Sequence, residues 1–443
     1  MRTVIRNVTA LTMDPSRPLL TGIDIAIEGA TLAAVGGVPA DFAPDEAIDG
    51  RELLALPAFF NAHTHAAMTL ERGWAEDLAF EQWLNDKIWV AESALEEEDV
   101  YWGAALACCE MVRAGVVGFA DHYFWMDQVA RVVEESGMKA LLAWCHFGIG
   151  TEHELGQTPF EETVAFVERW KGAAGGRVRT TMGPHSLYMD PPGVLRRIAE
   201  EAHRVGVGVH FHLAESQEQM DNSVARYGLT PVAHAAALGL LDLPEATIAA
   251  HCNVVTGDDL ALLAEKGTWV AHTAKTYQKL AMAMPPIASM IAAGVNVALG
   301  TDGPASNSDL NLFEVMRAVG LYQKGVQQDP QAMPRMALLR LATEAPAAAL
   351  GFTGSGVLAP GRPADVILLD TTAPHWIPRH DLAAGVVYTA NSGDVAYVWC
   401  DGRLLYRRGD YLTLDVERIR WEAERRAFRM VGQPMQSMRA YQG

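Results

Sequence analysis

His63-Thr64-His65 closes an apolar run that begins at Phe59. Side chains alternate along a strand, so residues two apart point the same way, and two imidazoles so placed can bind one metal ion. Taken alone, the pair reads equally as two hydrogen-bonded histidines. His212 and Asp302 each end another apolar run. Together the four supply three imidazoles and a carboxylate, a ligand set suited to Zn²⁺ or Fe²⁺.

The same placement recurs along the chain. Apolar runs end in Asp121-His122, Gly183-Pro184-His185, His210-Phe211-His212, Ala250-His251, Ala271-His272 and Gly300-Thr301-Asp302. Between them lie stretches with helical spacing at 98–114, 160–171, 192–205, 230–240 and 257–266. Strand and helix alternating over residues 56–350, with chemistry-bearing side chains at the strand ends, predict a (β/α)8 barrel, whose catalytic groups sit at the C-terminal ends of its strands. The flanks differ. Residues 3–13 and 23–35, and again Val366–Leu369 and Val395–Tyr406, alternate apolar and polar residues around Gly-containing turns, as antiparallel strands do. Residues 415–443 read as a charged helix with a loose end.

The chain has 443 residues, half of them hydrophobic, enough for one large core and one smaller one. Its formal charge of −19 repels phosphate backbones and anionic lipid, so no nucleic-acid or membrane partner is expected. Residues 1–7 show no apolar signal core, and no stretch approaches 18 uninterrupted apolar residues, from which a soluble cytoplasmic protein is expected. The five cysteines form no CxxC pair and suit a reducing compartment.

His63-Thr64-His65, His212-Leu213-Ala214-Glu215, Ala250-His251-Cys252 and Gly300-Thr301-Asp302-Gly303, in that order and spacing, resemble the mononuclear deaminase and chlorohydrolase branch of the amidohydrolase superfamily. The likeness extends to His65–Leu78, Gly183–Ser186 and Ala305–Phe313, and within the branch it runs most strongly to the 5-methylthioadenosine/S-adenosylhomocysteine deaminases. The resemblance implies an α/β chain: a distorted (β/α)8 TIM barrel over 57–351, a small β-sandwich formed from both chain termini (1–56 and 352–415), and a C-terminal helix and tail over 416–443. It further implies a homodimer or homotetramer.

A metal held by His63, His65, His212 and Asp302, zinc before iron, lowers the pKa of its water toward about 7. Glu215, three residues after a ligand, can shuttle that water's proton to a leaving nitrogen. The alternative for Glu215 is a surface carboxylate, a description that suits Glu218 better. By resemblance, His251 orients the attacking hydroxide together with Asp302, and His185 touches the substrate ring. Trp83 would cover a nucleoside sugar and Glu92 bind its hydroxyls. Trp83 reads otherwise as ordinary core, and His122 as either pocket lining or core.

Two stretches depart from the family. Where adenosine-type deaminases carry His-Asn-Pro-x-Ser-Asn, this chain has His272-Thr273-Ala274-Lys275-Thr276-Tyr277. That brings a phenol and a cation, Lys275, near the substrate unless Lys275 faces solvent. Residues 140–160 lack the arginines that hold the amino-acid tail of S-adenosylhomocysteine, while Trp144 and Phe147 suit an apolar group. The reaction expected is hydrolytic deamination of an aminated, adenosine-like ring such as methylthioadenosine, consuming water and releasing ammonia. Hydrolysis of a triazine or guanidine-like compound is the alternative, and an inactive barrel scaffold a third reading.

Overall fold

In the computed structural model of the protein, the described residues are 1–147 and 159–435. Among the described residues, eight parallel strands make the barrel: Phe59–Thr64, Val116–Tyr123, Lys139–His146, Val178–Pro184, His210–Leu213, Ile248–His251, Trp269–His272 and Asn296–Leu299. They pair in chain order as two four-stranded halves. Single parallel bridges, Met182 with Val209 and Ser186 with His212, join the halves on one side. On the other side the Asp302 amide donates to the His63 carbonyl at 2.9 Å. This interrupted hydrogen bonding is the distortion of the barrel, and both seams run through site residues.

The helices between strands follow their sequence signals. Pro192–Val205 starts with proline in its first turn and stops at Gly206, whose φ of 69° is left-handed. It buries Leu195, Ile198, Ala199 and Ala202, the i, i+3, i+4, i+7 face of an amphipathic helix. Thr256 and Asp259 form a capping box that fixes the start of Gly257–Glu265. Gly300 ends the eighth strand against the first, where a Cβ would come within 2.8 Å of the His63 nitrogen. Only glycine lets the two strands come this close.

Strands from both termini form one nine-stranded sheet, in which Leu53–Pro57 pairs antiparallel with Val366–Asp370. Its two faces have different partners, as period-two alternation requires. Leu53, Ala55, Val366 and Leu368 turn inward on Ile5, Ile25, Ile27 and Trp399, so the sheet wraps a small core of its own. Leu54, Leu56, Ile367 and Leu369 turn the other way and join the barrel core. Lys139, at the start of the third barrel strand, ties the two parts together, with Nζ 2.7 Å from both Asp365 and Asp401. The helix Val416–Met430 docks through Arg426, which donates to the buried Asp99 at 2.9 Å. No helix among the described residues is long and apolar enough to cross a membrane. The segment 148–158, part of the arginine-free stretch, and the tail 436–443 lie outside the described residues.

Candidate active site

The histidine pair sits at the end of the first barrel strand, and each ring is fixed through its Nδ1. His65 Nδ1 donates to the His122 carbonyl at 2.6 Å, and His212 Nδ1 donates to the His185 carbonyl at 2.9 Å. A carbonyl only accepts, so the proton of each neutral ring lies on Nδ1 and the Nε2 lone pair is free. His63 Nδ1 lies 2.8 Å from His210 Nε2, and His63 Nε2 is buried without a hydrogen-bond partner. Burial holds His63 and His212 well below the ordinary imidazole value. It lowers His65 as well, against the opposing pull of Asp302. Burial thus favours the neutral form of all three rings, the form in which an imidazole can take a metal.

These lone pairs converge. His65 Nε2 lies 3.3 Å from His212 Nε2 and 3.4 Å from Asp302 Oδ1, and His63 Nε2 lies 3.7 Å from the same oxygen. Ligands at about 2.0–2.1 Å around a tetrahedral zinc are roughly 3.4 Å apart, so the arrangement fits one divalent ion. The unpartnered His63 nitrogen supports that fit, because a buried polar nitrogen without a partner costs stability unless a metal takes it. Asp302 has φ 68° and His251 has φ 80°, left-handed values that non-glycine residues adopt at a cost and that here aim both side chains at the same point. The Gly303 amide donates to Asp302 Oδ1 at 2.7 Å and holds that carboxylate in place.

Glu215 follows the fifth strand and His251 ends the sixth, with His251 Nε2 3.6 Å from Glu215 Oε1. One cavity is lined by His65, His212, Asp302, Glu215 and His251 together with His185, Trp83, Glu92 and His122. His63 lies directly behind this wall, fully buried. His185 stacks on Phe147 with ring centres 4.5 Å apart, and burial keeps it neutral. His122 rests on the Gly183 carbonyl at 3.3 Å, its pKa pulled down to about 3 by burial. Trp83 stacks on Phe80 at the cavity wall. Glu92 accepts a 2.5 Å hydrogen bond from the Tyr123 hydroxyl, and burial lifts its carboxyl to about 7.

Two expectations change. Lys275 pairs its ammonium with Asp309 and is absent from the cavity wall, so it does not face the cavity as a free cation; its loop contributes Thr276 and Leu280 instead. Trp144 packs edge-on against Phe166 in the core, and Phe147 alone of that aromatic pair lines the cavity. Sequence reasoning passed over His210 as the support of His63. It also missed Tyr123 beside Glu92 and the aromatic walls Phe80, Trp89 and Tyr188. The alternation His210-Phe211-His212 carried the signal for the first of these, since both histidines face inward from one strand.

A parallel-stranded barrel with imidazoles and a carboxylate converging at its strand ends defines a metal-dependent barrel hydrolase. Residues 54–405 match the amidohydrolase family, and the chain belongs to it. It is 41% identical over 431 residues, 97% of this chain and 98% of its relative, to a 5-methylthioadenosine/S-adenosylhomocysteine deaminase of Pelotomaculum thermopropionicum. A crystal structure of an adenosine deaminase from Xanthomonas campestris with bound zinc superposes with a TM-score of 0.91 at 30% identity, covering 97% of this chain and 98% of that one. An atrazine chlorohydrolase from Arthrobacter aurescens, complexed with zinc, shares the fold at a TM-score of 0.87 and 24% identity, covering 96% of this chain and 100% of that one.

Proposed function

We infer that the chain is a zinc-dependent hydrolytic deaminase of an adenosine-like ring, with methylthioadenosine or adenosine as its substrate class. The observation that carries this is the meeting of Glu215 and His251 over the convergent nitrogens of His63, His65 and His212 and the Asp302 carboxylate, all in one cavity. Relatives that carry the deaminase name over the whole chain length support it. The enzyme is a hydrolase of non-peptide C–N bonds.

His63, His65, His212 and Asp302 would hold the ion, which when bound makes hydroxide available at neutral pH by lowering the pKa of a water. Glu215 then takes the water proton on Oε1 and delivers it to the departing amino group, so that ammonia leaves as a neutral molecule. Asp302 Oδ2 accepts the second proton, which passes on to the ring nitrogen as the carbonyl forms, so that both carboxylates end the cycle ionised. His251 orients the attacking oxygen. His185, neutral and stacked on Phe147, contacts the ring, while Trp83 covers the sugar and Glu92 binds its hydroxyls. His122 closes the inner wall of the cavity. An arginine-free stretch at 140–160 favours a substrate without a charged amino-acid tail over S-adenosylhomocysteine.

The same reading takes 1–56 with 352–415 as the composite β-sandwich, 57–351 as the catalytic barrel and 416–443 as the terminal helix and tail. It describes a cytoplasmic homodimer or homotetramer, which light scattering on the eluted protein decides. Ammonia release from the zinc-loaded enzyme, across methylthioadenosine, adenosine, S-adenosylhomocysteine, guanine, pterins, aminotriazines and guanidine compounds, tests the function. Preference for an adenosine is expected. Turnover of triazines or guanidines alone would overturn the substrate class.

A further inference from the structure

Tyr277 belongs to the loop in which this chain departs from adenosine-type relatives, and its side chain is fully buried. Its Oη accepts the Thr273 amide at 3.1 Å and lies 3.3 Å from His251 Nδ1. The Thr273 hydroxyl is 3.5 Å from the same nitrogen. The two nitrogens of His251 therefore face opposite chemistries. Nδ1 meets hydroxyls, which can donate, and Nε2 meets Glu215 Oε1 at 3.6 Å, which when ionised only accepts.

We propose that Tyr277 is a positioning residue that donates its hydroxyl hydrogen to His251 Nδ1 and thereby holds the His251 proton on Nε2. The Thr273 amide already occupies a lone pair of the Tyr277 oxygen, so the phenol is turned to donate. In this tautomer His251 presents an N–H to the cavity. It donates a hydrogen bond to the attacking oxygen and takes no proton from it, which leaves proton transfer to Glu215 and Asp302. The ring contact between His251 and Tyr277, with centres 5.7 Å apart and planes at 73°, fixes the imidazole orientation as well.

The inference rests on the deaminase reading for its kinetic arm only. Nitrogen-15 NMR of the histidine rings in the zinc-loaded full chain, with His251 assigned against His251→Gln, reads the tautomer without substrate. Nδ1 is expected unprotonated and Nε2 protonated, with the two forms mixing in Tyr277→Phe. A protonated Nδ1 in the unaltered protein overturns the proposal, whatever the variants do. In kinetics, Tyr277→Phe is expected to lower kcat roughly tenfold, the size of one lost hydrogen bond, with KM nearly unchanged. Added to His251→Gln it should cost nothing further, because the hydroxyl acts through the imidazole. An equal loss in both backgrounds would mean that Tyr277 acts by packing, and the proposal fails. If the unaltered enzyme releases no ammonia from any substrate, the deaminase reading fails while the NMR result stands.

Discussion

The side-chain amide of Asn61 bonds twice to Thr301: its Oδ1 accepts the Thr301 amide at 2.9 Å, and its Nδ2 donates to Thr301 Oγ1 at 2.7 Å. A side chain thus supplies bonding between the first and eighth barrel strands where the backbone ladder is broken. Asn61 stands two residues before His63, and Thr301 immediately before Asp302. The seam that closes the barrel also sets the spacing of two proposed metal ligands.

Replacing Asn61 with alanine strands the buried Thr301 amide, at a cost of about 1–3 kcal/mol. It also loosens the support of His63 and Asp302, and losses of support of this kind weaken metal binding roughly 10–100-fold. Urea midpoints of the metal-free protein and zinc competition against a chelating dye read the two effects separately. If zinc affinity is unchanged, the seam does not set the ligand spacing.

Glu215→Gln keeps the shape of the side chain and removes its capacity to take a proton. Zinc content should stay near that of the unaltered protein while turnover falls at least roughly a hundredfold, the range for loss of a general acid–base group. Near-normal turnover would end the proton-shuttle assignment.

Lys139 is nearly buried and faces Asp365 and Asp401 at 2.7 Å, while Ser355 also donates to Asp365 at 2.6 Å. Lys139→Ala removes the cation and leaves Asp365 buried without its counter-charge, which costs about 3–5 kcal/mol. The change lies at the junction with the terminal sheet, so kcat per folded molecule should hold. Unaltered denaturant midpoints would show that the network is dispensable.

The strand ends were legible because chemistry and topology coincide there: His63, His65, His212, His251 and Asp302 each follow an apolar run, and the fold brings them together. Partners far apart in sequence were not legible. Lys275 reads as a free cation until Asp309, 34 residues away, is seen beside it. Asn61 and Thr301 are 240 residues apart, and nothing local marks either as half of a pair. The alternation of the terminal strands was plain, whereas their joining into one continuous sheet depends on the pairing of Leu53–Pro57 with Val366–Asp370, a contact between chain ends that no local period encodes.

Glu92 gives the enzyme a pH signature. Its carboxyl is raised to about 7, first by burial, with the Tyr123 hydrogen bond opposing the rise. The unfolded chain titrates it near its ordinary value of about 4.3. A raised acid binds its proton more tightly in the folded state, so its stabilising effect is complete below about pH 4.3 and is lost as the pH climbs through about 7. Asp121, lifted by burial to about 7, and Glu71, pushed well above its usual range by burial and by Glu92, add slopes of the same sign. Only a difference between proteins therefore isolates Glu92. Glu92→Gln remains neutral at every pH and can still accept from Tyr123. Its stability should decline less steeply than that of the unaltered enzyme between pH 5 and 7, leaving it the more stable of the two at pH 8. Its KM for a nucleoside should rise as the carboxylate is lost from the sugar hydroxyls. Urea midpoints at each pH provide the first readout and initial rates the second. Parallel stability curves would show that Glu92 titrates alike in both states, and an unchanged KM would remove it from the sugar.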